Sequence, residues 1–323
     1  MPSPNLQEVL AHARMRLEEM GTDQPRLESE ILLRHVLEIG TREFLLLDRA
    51  DPLSSPLAVR FEELLTRRLA HEPLQYILGS VQFCEFDFRV GPGVLIPRPE
   101  TEVLVETVSR YIKKDLGPNG TLVDVGTGAG AIAISLLARF PEWLGIGLDL
   151  SSAALGYARE NARRVLANTD TARASGSTGS EPAPMEPPRS SGLFRFLPVQ
   201  ADLTGCCRPA QHVGQGEPGP ARPNLIVSNP PYIPSREIPE LAAEVREREP
   251  RMALDGGEDG MDCTRLLVSD SARVLRSGGL LCLELALGQS NSIRSWAERV
   301  GFNHLETYRD LTGRERGLIL RRN

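Results

Sequence analysis

The sequence predicts a small helical bundle followed by a larger α/β domain with a mostly parallel sheet. Three observations predict this arrangement. Apolar residues recur at helical spacing in the first seventy positions, whereas strand-length apolar runs alternate with helical patterns after position 120. The chain has 323 residues, which is more than one domain of usual size contains. We therefore expect two domains, each with its own core.

The first predicted helix has one apolar face. Its members are Leu6, Val9, Leu10, Ala13, Leu17 and Met20. Gly21 ends the pattern, Pro25 lies near the start of a second helix, and a further helix is predicted over 58–70. Together these helices form the predicted bundle.

A β-hairpin is predicted next, because short β-like runs at 81–83 and 86–90 are bounded by turn residues. We place the helical domain at 1–74, the hairpin linker at 75–98 and the α/β domain at 99–323.

The α/β domain follows from alternating strand and helix patterns. Strands are predicted at 121–125, 144–149, 194–199, 225–228, 280–285, 303–308 and 317–320. Helices are predicted at 131–140, 152–165 and 264–275. Two stretches rich in small and turn-forming residues, about 167–192 and 205–223, are predicted to be flexible surface insertions.

Composition excludes several classes of protein. Hydrophobic residues make up 41% and charged residues 25%, as in ordinary soluble proteins. Apolar runs are far shorter than the roughly 20 residues of a membrane span, and no targeting signal is visible, so we expect a cytoplasmic protein without membrane contact. The net charge of −6 disfavours direct binding of nucleic acid. Five cysteines without CxxC spacing indicate a reducing compartment and predict no metal site.

The first candidate site is a strand that runs into a glycine-rich turn and then a helix. Its residues are Asp124, Gly126, Thr127, Gly128, Ala129 and Gly130. Glycines let backbone N–H groups approach a ligand closely, and the helix start favours a polar or anionic group. A dinucleotide, a nucleoside-type cofactor or a tight turn without a ligand each fits this pattern. A P-loop is excluded because no Gly-Lys-Ser/Thr follows. Asp124 can accept hydrogen bonds from an ammonium group of a cofactor.

Two further strand ends bear polar groups. Asp149 ends the next strand, where a carboxylate can accept both hydroxyls of a ribose. The strand at 225–228 ends in Asn229-Pro230-Pro231-Tyr232. The Asn229 amide oxygen and the Pro230 carbonyl are two acceptors suited to the two protons of an NH₂ group, and an aromatic ring can pack on a planar amide or base. This motif is suited to hold a planar amino nitrogen with its lone pair directed at an electrophile.

These motifs resemble class I S-adenosylmethionine-dependent methyltransferases that act on planar nitrogen, a group that includes DNA adenine and protein glutamine methyltransferases. Additional segments resemble the HemK/PrmC family. They include Gln75-Tyr76-Ile77, Ile96-Pro97-Arg98-Pro99-Glu100, Glu249-Pro250, Gly256-Gly257 and Asp310-Leu311. The resemblance covers nearly the whole chain. Glu284-Leu285-Ala286 stands where the family usually has Glu-Ile-Gly, and we expect this difference to affect packing only.

The resemblance implies a Rossmann-like, seven-stranded, mostly parallel sheet and S-adenosylmethionine as the cofactor. It also implies the substrate, which is the glutamine of the Gly-Gly-Gln loop in peptide chain release factors. Methylation of its N5 amide nitrogen would modulate translation termination, and the helical domain would dock the release factor.

The resemblance also implies residue roles. The glycine loop at 126–130 would line the methionine part of the cofactor, Asp149 would hold its ribose, and Asp202 and Leu203 would flank its adenine. The implied catalytic and substrate-binding residues are Asn229, Pro230, Pro231 and Tyr232, and Asn229 also lies against the cofactor.

Two other functions stay open at this point. The first is methylation of an exocyclic amine in nucleic acid, of the adenine N6 type, which the acidic chain with only two tryptophans disfavours. The second is a noncatalytic protein that binds S-adenosylmethionine without turnover. We expect a monomer.

Overall fold

The computed structural model describes residues 4–175, 195–201 and 222–323. The chain divides into two compact units. The helical unit contains the residues up to Ser80 together with Ala242–Arg248, and the sheet unit contains Val81–Leu241 and Glu249–Asn323. Most of the two predicted insertions, as well as Asp202 and Leu203, lies outside the described residues.

The helical unit contains six helices among its described residues. They are α1 (Leu6–Met20), α2 (Pro25–Leu37), α3 (Thr41–Leu46), α4 (Ser55–Leu69), α5 (Leu74–Leu78) and, from the later part of the chain, α9 (Ala243–Arg248). Asn5 begins α1 with a reciprocal capping box to Glu8, and Gly21 ends it with a left-handed φ of 87°. The buried core side chains include Leu17, Leu32 and Leu65.

The sheet unit begins with a hairpin of β1 (Ser80–Phe83) and β2 (Phe86–Arg89). The rings of Phe83 and Phe88 meet edge to face at 5.9 Å inside the core. The helices of this unit are α6 (Pro99–Tyr111), α7 (Ala131–Arg139), α8 (Ser152–Ser175), α10 (Asp262–Val274) and α11 (Ser290–Arg299). Helix α8 extends past position 167, where the sequence predicts an insertion, so part of that stretch is helical.

The main sheet has seven strands among the described residues. They are β3 (Gly120–Val125), β4 (Trp143–Asp149), β5 (Phe196–Gln200), β6 (Leu225–Ser228), β7 (Leu280–Glu284), β8 (Phe302–Arg309) and β9 (Glu315–Arg322). Their order is β5-β4-β3-β6-β7-β9-β8, and only β9 pairs antiparallel to its neighbours. The predicted Rossmann-like, seven-stranded, mostly parallel sheet is therefore confirmed.

The sheet order positions the candidate site. Strand β3 lies between β4 and β6. The chain adds β4 and β5 on one side of β3 and then crosses to add β6 and β7 on the other side, so the strand order reverses at β3. In α/β proteins, ligands bind at the carboxyl ends of strands beside such a switch point. Asp149, Asn229 and the glycine loop all follow these strand ends.

The described residues also set limits on other site types. Within the ranges 4–175, 195–201 and 222–323, no helix is long and apolar enough to cross a membrane. In the same ranges, His, Cys, Asp and Glu side chains do not group in a way that would bind a metal ion.

Candidate active site

The glycine loop between β3 and α7 has a backbone that requires glycine. Gly126, Gly128 and Gly130 have φ values of 71°, 57° and 83°, a region that residues with a Cβ rarely adopt. The amides of Gly126 and Thr127 both donate to the Leu148 carbonyl, at 2.8 and 2.9 Å. The loop is thus held against the end of β4, and its turns present backbone rather than side chains to the space above the sheet.

Asp124 supports this loop from beneath. It is fully buried, and its Oδ2 accepts hydrogen bonds from the Thr127 hydroxyl at 2.8 Å and from the Ala133 amide at 3.3 Å. Its Oδ1 has no hydrogen-bond partner among the described residues. Burial raises the pKa of this carboxyl to about 7, against the opposing effect of its two hydrogen bonds.

Asp149 faces an open pocket at the end of β4. Its Oδ2 accepts from the Gly128 amide and its Oδ1 from the Ser151 amide, both at 2.9 Å. Because a carboxylate oxygen has two lone pairs, each oxygen can still accept one further hydrogen bond. The side chain is therefore oriented by backbone and ready for a pair of hydroxyl groups.

The pocket brings together part of the predicted site. Gly126, Gly128, Asp149, Asn229 and Pro231 line it. The other predicted residues of the glycine loop, Asp124, Thr127, Ala129 and Gly130, build the loop without lining the pocket. Pro230 and Tyr232 likewise do not line it.

Several residues that line the pocket are not predicted as site residues from the sequence. Leu150 and Met252 line the pocket and are 45% and 54% exposed, so they form an apolar rim. Val94 and Leu95 also line it. Leu150 could have been found by its position directly after Asp149, whereas Met252 is far away in sequence and gives no local signal.

Asn229 is held by a side chain from α6. Its Nδ2 donates to the Thr101 hydroxyl at 3.2 Å. The Thr101 hydroxyl also lies near the Glu284 carboxyl at the end of β7 and lowers the pKa of that group. A fixed Nδ2 leaves the Oδ1 atom of Asn229 as the branch of the amide that can accept a hydrogen bond from a ligand.

Tyr232 packs behind the motif. Its hydroxyl donates to Oε1 of Glu284 at 3.3 Å, and its carbonyl accepts from Nε2 of Gln289 at 3.0 Å. Burial and the neighbouring Glu284 raise the pKa of this phenol. The side chain thus anchors the backbone of the Asn-Pro-Pro-Tyr turn to β7.

A second loop supports the same turn. Ile233 donates its amide to the Leu254 carbonyl at 3.0 Å and accepts from the Gly256 amide at 2.9 Å. A Cβ on Gly256 would lie 2.8 Å from the Pro231 carbonyl oxygen. This close approach explains why Gly-Gly and Asp-Gly follow the motif in the sequence.

Another part of the pocket lining is braced by a buried carboxylate. Glu249 is 5% exposed, accepts from the Ile96 amide at 3.1 Å and forms an ion pair with Arg98. The segment that contains Val94 and Leu95 is thereby joined to the segment that contains Pro250 and Met252, and all four residues line the pocket.

The residues present fit S-adenosylmethionine. Asp149 has free lone pairs for the two ribose hydroxyls, the glycine loop admits close approach of a ligand, and the buried Oδ1 of Asp124, which has no partner among the described residues, is a polar atom beneath that loop. With a seven-stranded sheet of this order and an Asn-Pro-Pro-Tyr turn beside β3, the fold and the site define a class I S-adenosylmethionine-dependent methyltransferase.

Comparison with known proteins identifies the family. Residues 8–79 match the family model "PrmC N-terminal domain". A release factor glutamine methyltransferase of Moorella thermoacetica is 38% identical over 96% of this chain and 96% of its own length. A release factor glutamine methyltransferase of Geobacter sulfurreducens is 37% identical over 96% and 94%, and that of Caulobacter vibrioides is 33% identical over 95% and 93%. The chain belongs to the release factor glutamine methyltransferase family.

More distant similarity exists among solved structures. A ribosomal protein L11 methylase from Lactobacillus delbrueckii subsp. bulgaricus is 17% identical with a TM-score of 0.45, covering 73% of this chain and 84% of that one. A 16S rRNA N2 G1207 methyltransferase from T. thermophilus has 17% identity and a TM-score of 0.44, covering 75% and 49%.

Proposed function

We propose that this chain transfers a methyl group from S-adenosylmethionine to the N5 amide nitrogen of the glutamine in the Gly-Gly-Gln motif of peptide chain release factors. The main support is the held amide of Asn229, which lines the cofactor pocket with its Nδ2 already bonded to Thr101. An amide acceptor in that position matches a substrate whose reacting atom is an NH₂ group. The family membership gives the same substrate class.

In this proposal the protein acts by positioning. The lone pair of an amide nitrogen is delocalised, so the nitrogen is a poor nucleophile and no side chain deprotonates it usefully. Asn229 Oδ1 and the Pro230 carbonyl accept the two N–H groups and stabilise the positive charge that develops on the nitrogen. Orientation of this kind can supply about 7–11 kcal/mol of the barrier. The proton is then lost to solvent.

The cofactor side of the pocket has separate residues. When bound, S-adenosylmethionine supplies an electrophilic methyl group on a sulfonium. Asp149 holds the ribose hydroxyls, and the glycine loop at 126–130 contacts the methionine part. The apolar side chains of Leu150 and Met252 exclude water from one rim of the pocket.

The helical unit is proposed as the docking surface for the release factor, since the sheet unit already supplies the cofactor and methyl-transfer residues. The reaction then takes place in the cytoplasm, where release factors act. The sheet unit needs no second copy in this scheme, because one chain supplies every residue named above, which favours a monomer.

Two variants separate the cofactor role from the substrate role. A purified release factor is incubated with S-adenosylmethionine and each variant, and the Gly-Gly-Gln peptide is followed by mass spectrometry. We expect Asn229→Ala to lower turnover by about 10²–10³-fold, as does loss of a transition-state hydrogen bond, with a much smaller change in the Kd for the cofactor. We expect Asp149→Ala to raise that Kd by about 10–100-fold, because hydrogen bonds to a charged group contribute about 1.5–3 kcal/mol.

Asp87→Ala is the matched control, because Asp87 lies on β2 and its carboxylate is exposed. It should leave both quantities unchanged. Wild-type turnover in Asn229→Ala would contradict the proposed role of the motif. Methyl transfer to a DNA oligonucleotide without transfer to a release factor would replace the proposed substrate with nucleic acid.

A further inference from the structure

Four side chains lie together between the pocket and the buried end of β7. Asn229 lines the pocket and donates to Thr101, Tyr232 donates to Glu284, and the nearby Thr101 hydroxyl lowers the pKa of the Glu284 carboxyl. Thr101 and Glu284 are only 4% and 2% exposed. Glu284 Oε2 has no hydrogen-bond partner among the described residues. A carboxylate this deeply buried costs free energy, and no ion pair at salt-bridge distance offsets it among those residues.

The direction of the hydrogen bonds among these side chains determines the orientation of the Asn229 amide. A threonine hydroxyl has one proton, and a carboxylate can only accept it. When the Thr101 proton goes to Glu284, the Thr101 oxygen must act as acceptor toward Asn229. The NH₂ branch of Asn229 then faces Thr101, and its Oδ1 branch is left for the pocket. The opposite amide orientation would place an NH₂ group against the NH₂ group of a glutamine substrate, where neither can accept.

We propose that Glu284 and Thr101 are positioning residues, which act through Asn229 to keep its amide oxygen directed at the substrate nitrogen. This inference rests on the proposed function. It assigns a role in the reaction to Glu284, the residue of Glu284-Leu285-Ala286 that matches the family pattern.

The ionisation of Glu284 controls the same orientation. Burial raises the pKa of its carboxyl to about 7, while Thr101, Tyr232 and Arg316 lower it and Glu100 raises it. Tyr308 of β8 also faces this carboxyl. The ionised Glu284 carboxylate can only accept the Thr101 proton, so Thr101 must accept from the Asn229 NH₂ group, which is the productive orientation of the amide. The protonated form can donate to Thr101, which frees the Thr101 proton for Asn229 and permits the flipped amide. Turnover at saturating cofactor should therefore fall as the pH drops below about 7.

The threonine is tested with two substitutions that differ by one hydroxyl. Thr101→Val keeps the shape but removes the hydroxyl, so we expect kcat to fall about tenfold, with an unchanged Kd for S-adenosylmethionine. Thr101→Ser keeps the hydroxyl and should recover kcat to within about twofold of wild type. Thr264→Val is the control, because Thr264 is fully buried in α10 and its hydroxyl has no partner among the described residues. It should keep wild-type kcat.

The glutamate is tested by its pH profile. Glu284→Gln cannot ionise and can present either an oxygen or an NH₂ group to Thr101, so we expect a lower kcat and loss of the decline in kcat below pH 7. A merely structural role would lower kcat or stability without removing that decline. A profile in Glu284→Gln that still falls as in wild type would overturn the proposal, as would equal kcat values for Thr101→Val and Thr101→Ser.

A measurement without substrate separates this inference from the proposed function. In the ¹⁵N NMR spectrum, the side-chain amide of Asn229 should exchange slowly with water and shift with a midpoint near pH 7, and both properties should disappear in Thr101→Val. If the wild-type protein shows this behaviour but does not methylate a release factor, the proposed substrate is wrong while the orientation device exists. An Asn229 amide that does not respond to pH or to Thr101 overturns the inference, whatever the substrate.

Discussion

Asp124 and Asp149 lie at the ends of neighbouring strands, yet their surroundings give them different chemistry. Asp149 lines the pocket and is held by two backbone amides. Asp124 is fully buried, and one of its oxygens has no partner among the described residues. Desolvation disfavours the charged form, which is why the pKa of Asp124 is raised to about 7.

The raised pKa of Asp124 predicts a pH-dependent loss of stability. An ordinary aspartate ionises near 3.9 in the unfolded chain, so the folded state holds its proton to higher pH. The free energy of unfolding therefore declines as pH rises from about 4 to about 7, and the full loss is present above pH 7. We expect the wild type to lose about 2–3 kcal/mol relative to Asp124→Asn between pH 5 and pH 8. Denaturant unfolding of the cofactor-free proteins at both pH values measures this difference.

The wild type and Asp124→Asn share all other titrating groups, so the contributions of those groups to the pH dependence of stability cancel in the difference. An equal stability difference at pH 5 and pH 8 would show that Asp124 does not hold a proton in the folded state. A difference of the opposite sign would show that an unseen cation pairs with its free oxygen.

Some residues of the site are predictable because their signals are local. Asp124 and Asp149 lie in the last two positions of their strands and Asn229 directly follows its strand, and parallel strands bring such ends to one edge. The orientation of Tyr232 is not predictable in this way. Its hydroxyl meets Glu284, which is 52 positions away, so only the folded sheet shows that the ring supports the turn from behind.

At the scale of elements, the loop at 256–260 fixes the Asn-Pro-Pro-Tyr turn by backbone contact. Gly260 has a φ of 76°, and a Cβ there would meet the Tyr232 carbonyl oxygen. The amide of Gln289 bonds to the carbonyls of both residues, at 3.0 and 3.1 Å. The two loops are therefore one packed element with no room for an added methyl group.

Gly260→Ala should displace the Asn-Pro-Pro-Tyr turn. We expect turnover to fall at least about tenfold, because small displacements of reacting groups are costly, and the free energy of unfolding to fall by more than the roughly 1 kcal/mol of a strained φ. Gly278→Ala is the matched control, since Gly278 has a φ of 75° but no atom within 4 Å of an added Cβ. Mass spectrometric turnover assays and denaturant unfolding compare the two. Equal losses in both variants would mean that the φ alone matters and the contact with Tyr232 does not.

Helices are predictable from the sequence where many of their residues are apolar and buried, and less predictable where only a few residues are buried. In α7 every residue from Ala131 to Ala138 is buried, and the sequence predicts this helix almost to its last residue. In α11 the buried residues are only Ser290, Ile293 and Ala297, so its ten residues have too few apolar positions to predict a helix. Helix α6 begins at Pro99 with a helix start signal of its own, but its pattern directly follows the predicted hairpin linker, and no helix is predicted there from the sequence.

At the scale of the whole molecule, the path of the chain departs from the sequential domains that the sequence predicts. The segment Ala242–Arg248 belongs to the helical unit although it lies between the Asn-Pro-Pro-Tyr turn and the loop at 256–260. Arg68 of α4, which is 4% exposed, holds it there. Its guanidinium contacts Glu28 of α2 at 2.7 Å and Glu244 of α9 at 2.8 Å. Such a long-range ion pair leaves no local signal in the sequence.

Arg68→Ala should therefore loosen the helical unit and release α9. Removing one partner of a buried ion pair leaves the other charge uncompensated, which costs about 3–5 kcal/mol in the interior; because Glu244 is partly exposed, we expect about 3 kcal/mol here. Hydrogen exchange should become faster in α2, α4 and α9. Both tryptophans, Trp143 and Trp296, lie in the sheet unit, so the unfolding transition followed by their fluorescence should change little.

The same variant distinguishes docking from chemistry. If the helical unit docks the release factor, Arg68→Ala should raise the KM for the intact factor about tenfold, while methylation of a short Gly-Gly-Gln peptide keeps its rate. Arg26→Ala is the control, because Arg26 is 79% exposed and its pair with Glu30 should contribute less than about 1 kcal/mol. Equal losses on the intact factor and on the short peptide would show that the substitution affects methyl transfer itself and not docking. An unchanged exchange rate in α9 would show that Arg68 is not what retains it.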